Sequence, residues 1–156
     1  MSAAINQEIH WSNTEAPNKV ELKEHDDGIN VKLTYRRGDI IEKRIEGDYQ
    51  MEKLQFFLTN QFKYVENETI HKVVVDMKTF PIHIFRLKPF HQINQLSVMM
   101  YKWIWSEFLR FAQTTHVMVD EMELMKKDER DIIPDEYLGT IKMRNASSMF
   151  ICFVRD

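Results

Sequence analysis

The chain has a single cysteine, Cys152, among its 156 residues, so no disulfide forms within it. One thiol also cannot build a structural zinc site, which takes four ligands rich in cysteine. Cys152 lies in the apolar run 149–154, where a buried, unreactive thiol is expected. Low cysteine usage favours a reducing compartment.

Glycine and proline are also scarce, with four residues of each. The glycines are too far apart for a phosphate-binding loop or a dinucleotide fingerprint, both of which need several in one short motif. They stand at Gly28, Gly38, Gly47 and Gly139. Few long loops are expected from a chain with so few residues of these two types.

A secretory signal and a membrane span are missing from the pattern. Residues 1–8 have neither a basic nor an apolar region, so no signal peptide is expected. The longest apolar stretch, 93–112, contains Lys102, Glu107 and Arg110, each costly inside a bilayer. We therefore predict a soluble cytoplasmic protein.

Composition fits one globular domain, with 44% hydrophobic and 29% charged residues. The formal net charge of −3 disfavours attraction of the whole surface to nucleic acid or anionic lipid. Residues 1–18 show no period and end near Pro17, which indicates an irregular lead-in. Residues 19–156 are predicted to form a single α+β domain.

The first half of that domain alternates apolar and polar residues. Runs at 19–23, 29–36 and 40–46 are separated by the turn signals Asp27-Gly28 and Arg37-Gly38-Asp39. Alternation with short turns predicts a three-stranded antiparallel meander. An amphipathic helix then follows, with Asp48 as N-cap and an apolar stripe at helical spacing. The stripe is Met51, Leu54, Leu58, Phe62 and Val65.

The second half predicts a hairpin, a long helix and a closing hairpin. Residues 71–77 and 82–87 are the extended runs of the first hairpin. Apolar stripes between Pro89 and Thr115 indicate a helix that is apolar on most of its circumference. An acidic segment, 120–136, precedes the last hairpin, 140–144 with 149–154. The predicted fold is a mainly antiparallel sheet, order βββ-α-ββ-α-ββ, with the long helix packed across one face.

Catalytic motifs are nearly absent, so the sequence leans away from an enzyme, and no cofactor or metal is expected. No histidines stand at metal-binding spacing, and no serine lies in a nucleophile elbow. The exception is Asp76-Met77-Lys78 after an apolar strand, which resembles half of a metal-dependent nuclease motif. The second acid that this hydrolase alternative requires would be Asp39 or Asp48.

Binding of single-stranded nucleic acid is a further alternative. Four basic residues and three phenylalanines are interleaved within 71–91, a combination that can stack bases and contact phosphates. The basic residues are Lys72, Lys78, Arg86 and Lys88, and the aromatic ones are Phe80, Phe85 and Phe90. Alternation along the stretch also predicts that several of these rings point into the core.

The favoured hypothesis is a small non-catalytic protein that acts by protein–protein interaction, as a regulator, inhibitor, chaperone or assembly factor, or as a homodimer. The long helix has more apolar surface than one sheet face covers, and ten methionines suit an adaptable surface. Partner contacts are predicted at an apolar patch with an acidic rim. These residues are Tyr101, Trp105, Leu109, Met122, Glu121, Glu123, Asp128 and Glu129.

Overall fold

The structure, a computed structural model, describes residues 14–114, 117–127 and 139–142. These residues form strands β1 (Lys19–His25), β2 (Gly28–Thr34), β3 (Ile40–Glu46), β4 (Thr69–Asp76), β5 (Gln92–Met100), β6 (Met118–Lys126) and β7 (Gly139–Lys142). The α-helices are α1 (Gln50–Gln61) and α2 (Trp105–Thr114), and two short 3-10 helices span Ile82–Arg86 and Lys88–His91. The prediction of a mixed α+β fold is confirmed.

All seven strands belong to one sheet with the order β3-β2-β1-β4-β5-β6-β7. The predicted meander of β1, β2 and β3 is antiparallel, as expected. However, β4 pairs in parallel with β1, β5 with β4, and β6 with β5. Among the described strands beyond the meander, β6 and β7 form the antiparallel pair. The prediction of a mainly antiparallel sheet is therefore wrong, since half of the strand pairs are parallel.

Alternation along the meander separates an apolar face of the sheet from a polar one. Val20 and Leu22 are buried and lie opposite Leu33 and Val31, while the lysines and glutamates between them point the other way. The buried residues of α1 and α2 join the core formed on the apolar face, so the helices cover this face. This face is called the helix-covered face below, and the opposite one the polar face.

The predicted hairpin of 71–77 with 82–87 is wrong, because residues 77–91 form a crossover. Ile82–Arg86 and Lys88–His91 are 3-10 helices rather than a strand. Their buried side chains belong to the hydrophobic core, and the crossover connects the parallel strands β4 and β5. Parallel neighbours need a connection of about a dozen residues, and these fifteen positions supply it.

The long helix from Pro89 to Thr115 is also wrong. Residues 92–100 are strand β5 in the interior of the sheet, and the helix α2 begins only at Trp105. In β5 the buried residues Ile93 and Leu96 are three positions apart, and the ladders to β4 and to β6 both omit Asn94, which lies between them. The alternation of the strand is interrupted at this point, and the resulting spacing of three imitates a helix in the sequence.

Helix α1 is shorter than predicted and begins differently. Its N-cap is Tyr49 in the left-handed conformation (φ 59°), with no side-chain cap, rather than Asp48. Leu54, Phe57 and Leu58 are buried, which confirms the predicted apolar stripe over the helix itself. Phe62 is the C-cap residue, so the helix ends before Val65.

Phenylalanines fill the core between the 3-10 helices and α2. Phe80 packs against Phe85, Phe108 and Phe111 with ring centroids 4.9 to 5.6 Å apart. All four rings are fully buried. These contacts join the crossover to α2.

Several predicted features lie outside the described residues: most of the lead-in (1–13), Asp128, Glu129 and the strand 149–154 with Cys152. The acidic segment begins inside the described part, where 120–126 belongs to strand β6. In the described part, no helix has both the length and the apolar character to cross a membrane.

Candidate functional site

Strand β3 lies at the edge of the sheet, with β2 on one side only. The Tyr35 N–H donates to the Asp39 carbonyl at 2.9 Å, and this bond sets the alternation along the hairpin. The backbone groups of Ile41, Lys43 and Ile45 therefore point towards β2, and those of the even-numbered residues point outward. The chain thus offers the outward N–H and C=O groups of Glu42 and Arg44 at an exposed edge.

A groove of about 780 Å³ runs between β3 and helix α1. Its apolar lining comes from both elements, since Ile45 contributes from the strand and Phe56 and Phe57 from the helix. Phe56 is 68% exposed, and Ile40 at the start of β3 is 49% exposed. Edge strand and groove together are called the β3–α1 groove below.

Charges of both signs border the β3–α1 groove. Lys43 and Glu46 lie on the strand side, and Glu52 and Lys53 on the helix side. The Lys53 amine donates to the Glu46 carbonyl at 2.9 Å, which ties the start of α1 to the end of β3. An occupant of this groove would therefore meet an apolar floor with mixed charges at the rim.

The position of Phe56 follows from the helix period. Leu54, Phe57 and Leu58 face the sheet, and Phe56 falls on the outer flank of the same helix, beside the edge strand. Phe56 extends the apolar lining that Ile45 and Phe57 form, and a continuous exposed apolar patch, unlike a single exposed ring, indicates an interaction site. In the described part of the chain, the apolar side chains exposed to a similar extent are Tyr49 and Trp103.

A second cluster of chemically active side chains lies where the parallel strands end. The Tyr101 hydroxyl donates to Asp76 Oδ1 at 2.5 Å, and Lys127 Nζ lies 3.7 Å from Asp76 Oδ2. The Lys78 backbone N–H donates to Glu24 Oε1 at 2.7 Å. We call Glu24, Asp76, Lys78, Tyr101 and Lys127 the carboxyl-edge cluster.

The carboxyl-edge cluster satisfies its own groups. Burial, the hydrogen bond to Asp76 and the nearby carboxylates raise the pKa of Tyr101 well above its normal 10.0, so its hydroxyl stays protonated. A proton held this firmly favours a structural hydrogen bond over a nucleophilic or basic phenolate. Lys78 Nζ also lies 3.6 Å from Asp26. The arrangement joins strand ends rather than presenting unsatisfied groups to a ligand.

The nuclease alternative loses its proposed second acid in this geometry. Asp39 lies on the β2–β3 turn, at the opposite end of the strands from Asp76. Asp48 follows β3, which is three strands away from β4, or about 14 Å at normal strand spacing. Within residues 14–114, 117–127 and 139–142, no group of three or more metal-binding side chains gathers.

The nucleic-acid alternative loses its stacking surface. Phe80, Phe85 and Phe90 are buried, as the alternation predicted for several of them. The four basic residues are dispersed over the mid-strand position 72, the carboxyl edge and the crossover. Lys88 lies 2.7 Å from Glu68, an ion pair that raises the pKa of the lysine.

The structure describes six of the eight predicted partner contacts, and one of these six is buried. Met122 is 0% exposed and belongs to the core, so it offers a partner no area. Trp105 and Leu109 are partly buried on α2, and Tyr101 is bonded to Asp76. Glu121 and Glu123 lie on the polar face of β6, where Glu123 accepts a hydrogen bond from Ser97.

Sequence reasoning missed the edge position of β3, the exposed Phe56 and the role of Glu24. The strand order decides which strand is an edge, and local patterns do not give that order. The sequence did contain one local indication of an exposed aromatic side chain, because Phe56 lies outside the apolar stripe of its helix. Comparison with family models, curated proteins and solved structures finds no match to this chain.

Proposed function

We propose that this chain is a non-catalytic protein-interaction protein that binds an extended segment of its partner in the β3–α1 groove. The partner segment adds to the sheet as a strand beside β3. The observation that carries the proposal is the exposed edge strand that also forms one wall of an apolar-lined groove of about 780 Å³. Strand addition beside a helix-lined groove is a recurring mode of peptide recognition.

Backbone hydrogen bonds would supply the sequence-independent part of the binding. Glu42 and Arg44 each direct one N–H and one C=O outward, so a partner strand gains a short ladder with them. Edge strands left open in this way are normally blocked by proline, bulges or a covering element. In β3 the edge is protected by charged side chains, which hinder pairing with an unmatched strand. A partner strand with complementary charges would still pair with it.

Side chains would supply the selectivity. Residues of the added strand alternate between the two faces of the sheet. On the helix-covered side they meet Ile45, Phe56 and Phe57, which favours apolar side chains. On the polar side they meet Glu42 and Arg44, which favours charged ones. The expected partner segment is therefore extended, with apolar and charged residues in alternation.

Selection from a random peptide library displayed on phage, against the purified chain, tests this proposal. Glu42→Pro removes an outward N–H without removing a hydrogen bond to β2, whereas Glu42→Ala keeps that N–H. We expect Glu42→Pro to weaken selected peptides about tenfold or more, the loss of roughly 1.4 kcal/mol. The matched Glu42→Ala variant is expected to bind nearly as well as the unaltered chain.

A second pair of variants tests the groove. Phe56→Ala removes an exposed ring from its lining and should weaken the same peptides, while Tyr64→Ala removes an exposed ring that follows α1 and is not part of that lining. Thermal unfolding of each variant checks that the fold is intact. Selected peptides that bind Glu42→Pro and Phe56→Ala as well as the unaltered chain would refute the proposal, and so would a library that yields no binder.

A further inference from the structure

We infer that the strand accepted beside β3 is β3 of a second copy of this chain. This inference rests on the proposed function and names its partner. Two β3 strands pair antiparallel about a two-fold axis perpendicular to the sheet, and the two seven-stranded sheets become one. The support for this pairing is the match between the residues of β3 and those of a second β3 strand placed antiparallel to it.

The register follows from which backbone groups point outward. Only the even-numbered residues of β3 direct their N–H and C=O groups away from β2, so the hydrogen-bonded pairs across the axis must be even with even. Centring the axis on Lys43 meets this condition. Glu42 then exchanges two hydrogen bonds with Arg44 of the other copy, and Arg44 does the same with Glu42.

Two sets of opposed side chains favour this register, while Lys43 stands opposite Lys43 on the axis and Ile40 opposite Glu46. On the polar face, each Glu42 stands opposite an Arg44, which gives two pairs of opposite charge. On the helix-covered face, each Ile41 stands opposite an Ile45, which gives two apolar pairs. Shifting the axis by one residue, to position 42 or 44, would place Glu42 against Glu42 or Arg44 against Arg44 instead.

The groove explains how the helix-covered side is filled. A two-fold axis perpendicular to the sheet keeps both α1 helices on the same face, beside one another across the axis. Each exposed Phe56 then gains a covering from the other copy. The two Lys43 side chains meet on the axis, and Glu52, which lines the same groove, supplies a carboxylate beside them.

Arg44 remains available for this contact although it is engaged within its own chain. Its guanidinium donates to Asn30 Oδ1 at 2.8 Å and to Asp27 Oδ1, and its Nε lies 3.7 Å from Glu46 Oε1. These contacts hold the side chain in an ordered position on the polar face. Because a guanidinium has five N–H donors, it can donate to a further carboxylate as well.

A charge-exchange experiment tests the pairing. Glu42→Arg places two arginines opposite one another in each homodimer contact, and Arg44→Glu places two glutamates there. Sedimentation velocity, from micromolar to millimolar protein, should show the unaltered chain dimerising and each single variant weakened about tenfold or more. An equimolar mixture of the two variants should form a heterodimer, because each contact then joins opposite charges.

Cysteine cross-linking tests the register itself, in a Cys152→Ser background. Lys43→Cys puts the two thiols directly opposite on the axis, at a Cα separation of about 4.5 Å that suits a disulfide. Glu42→Cys, the matched control, leaves its two thiols diagonal, with Cα atoms beyond about 7 Å, where a disulfide does not form without backbone movement. We expect a cross-linked dimer from the first variant and not from the second.

A chain that stays monomeric up to millimolar concentration overturns this inference. So does a dimer that Glu42→Arg leaves unchanged, or one that cross-links through position 42 rather than 43. If the chain is monomeric and selected peptides still depend on the Glu42 N–H, then the proposed function holds and only the identity of the partner is wrong. If neither is observed, both fail.

Discussion

The Tyr101 hydroxyl donates a 2.5 Å hydrogen bond to Asp76 Oδ1, and this contact joins the carboxyl ends of β4 and β5. Lys127, beyond the end of β6, adds an ion pair to the same carboxylate. Three parallel strands are thus connected at one edge by side chains that are 25 or more positions apart in the sequence. The pair Asp76 and Lys78, which resembles a catalytic half-motif, belongs to this structural network.

Removing the Tyr101 hydroxyl should destabilise the fold without affecting partner binding. In Tyr101→Phe the ring remains and only the bond to Asp76 is lost, so we expect a cost of about 1 to 2 kcal/mol. Urea unfolding at neutral pH measures it. Unchanged peptide binding by the variant is the control, because the β3–α1 groove does not include this residue.

The same bond gives stability a defined dependence on alkaline pH. The pKa of Tyr101 is raised in the folded state, so the folded chain holds this proton more tightly than the unfolded chain does. The contribution is therefore complete below the unfolded value of 10.0 and is lost as pH rises through the folded pKa. The stability difference between the unaltered chain and Tyr101→Phe should shrink above pH 10.0; a constant difference would contradict this.

Truncation of two methionines of β6 should change the stability of the fold by very different amounts. Met122 is fully buried, so Met122→Ala leaves a cavity and should cost about 2 to 5 kcal/mol. Met118 is 42% exposed on the same strand, and Met118→Ala should change stability by no more than about 0.5 kcal/mol. Chemical denaturation of both variants compares them directly. Equal effects would show that Met122 is not in the core.

Gly28 should not tolerate a side chain. A Cβ at this position would lie 2.4 Å from the carbonyl oxygen of Ile45, which is backbone and cannot move aside. We expect Gly28→Ala to cost about 1 to 3 kcal/mol through strain between β2 and β3. The matched control is Lys32→Ala, on the polar face of the same strand. A Gly28→Ala melting temperature equal to that of the control would refute the close approach.

Glu107 on α2 should lower stability when it is ionised. Burial raises its pKa, although a backbone hydrogen bond from Phe80 and the charge of Arg110 partly oppose the shift. A raised folded pKa means that stability is highest below the normal value of 4.5 and decreases as pH rises through the folded pKa. Glu107→Gln should therefore unfold at higher temperature than the unaltered chain at pH 7, with the difference disappearing in acid.

Much of the local structure was readable from the sequence. The strict alternation in 29–36 predicted a strand with one buried face, and Asp27-Gly28 and Arg37-Gly38-Asp39 predicted the turns of the meander. Leu54 and Leu58 predicted the buried face of α1. These features depend on neighbours within a few positions, so the sequence alone determined them.

The second half shows where local reading fails. Parallel strands at the centre of a sheet are buried on both faces, so β5 has no simple alternation, and its apolar spacing resembles that of a helix. Whether 82–87 pairs as a strand or closes a crossover depends on the direction in which β5 runs. The direction of β5 depends on the pairing of the whole sheet and cannot be read from the residues of segment 82–87.

The sequence by itself determined that this chain has a mixed α+β fold, that its first three strands form a meander, and that no disulfide forms within the chain. Only the tertiary structure decided that β3 is an edge, that Phe56 lies beside it and that Asp76 meets Tyr101. The physical reason is that the pattern of apolar and polar residues indicates which side chains are buried, but not which distant segment covers them. Strand order and direction arise from contacts between distant segments, and these define the surfaces on which function depends.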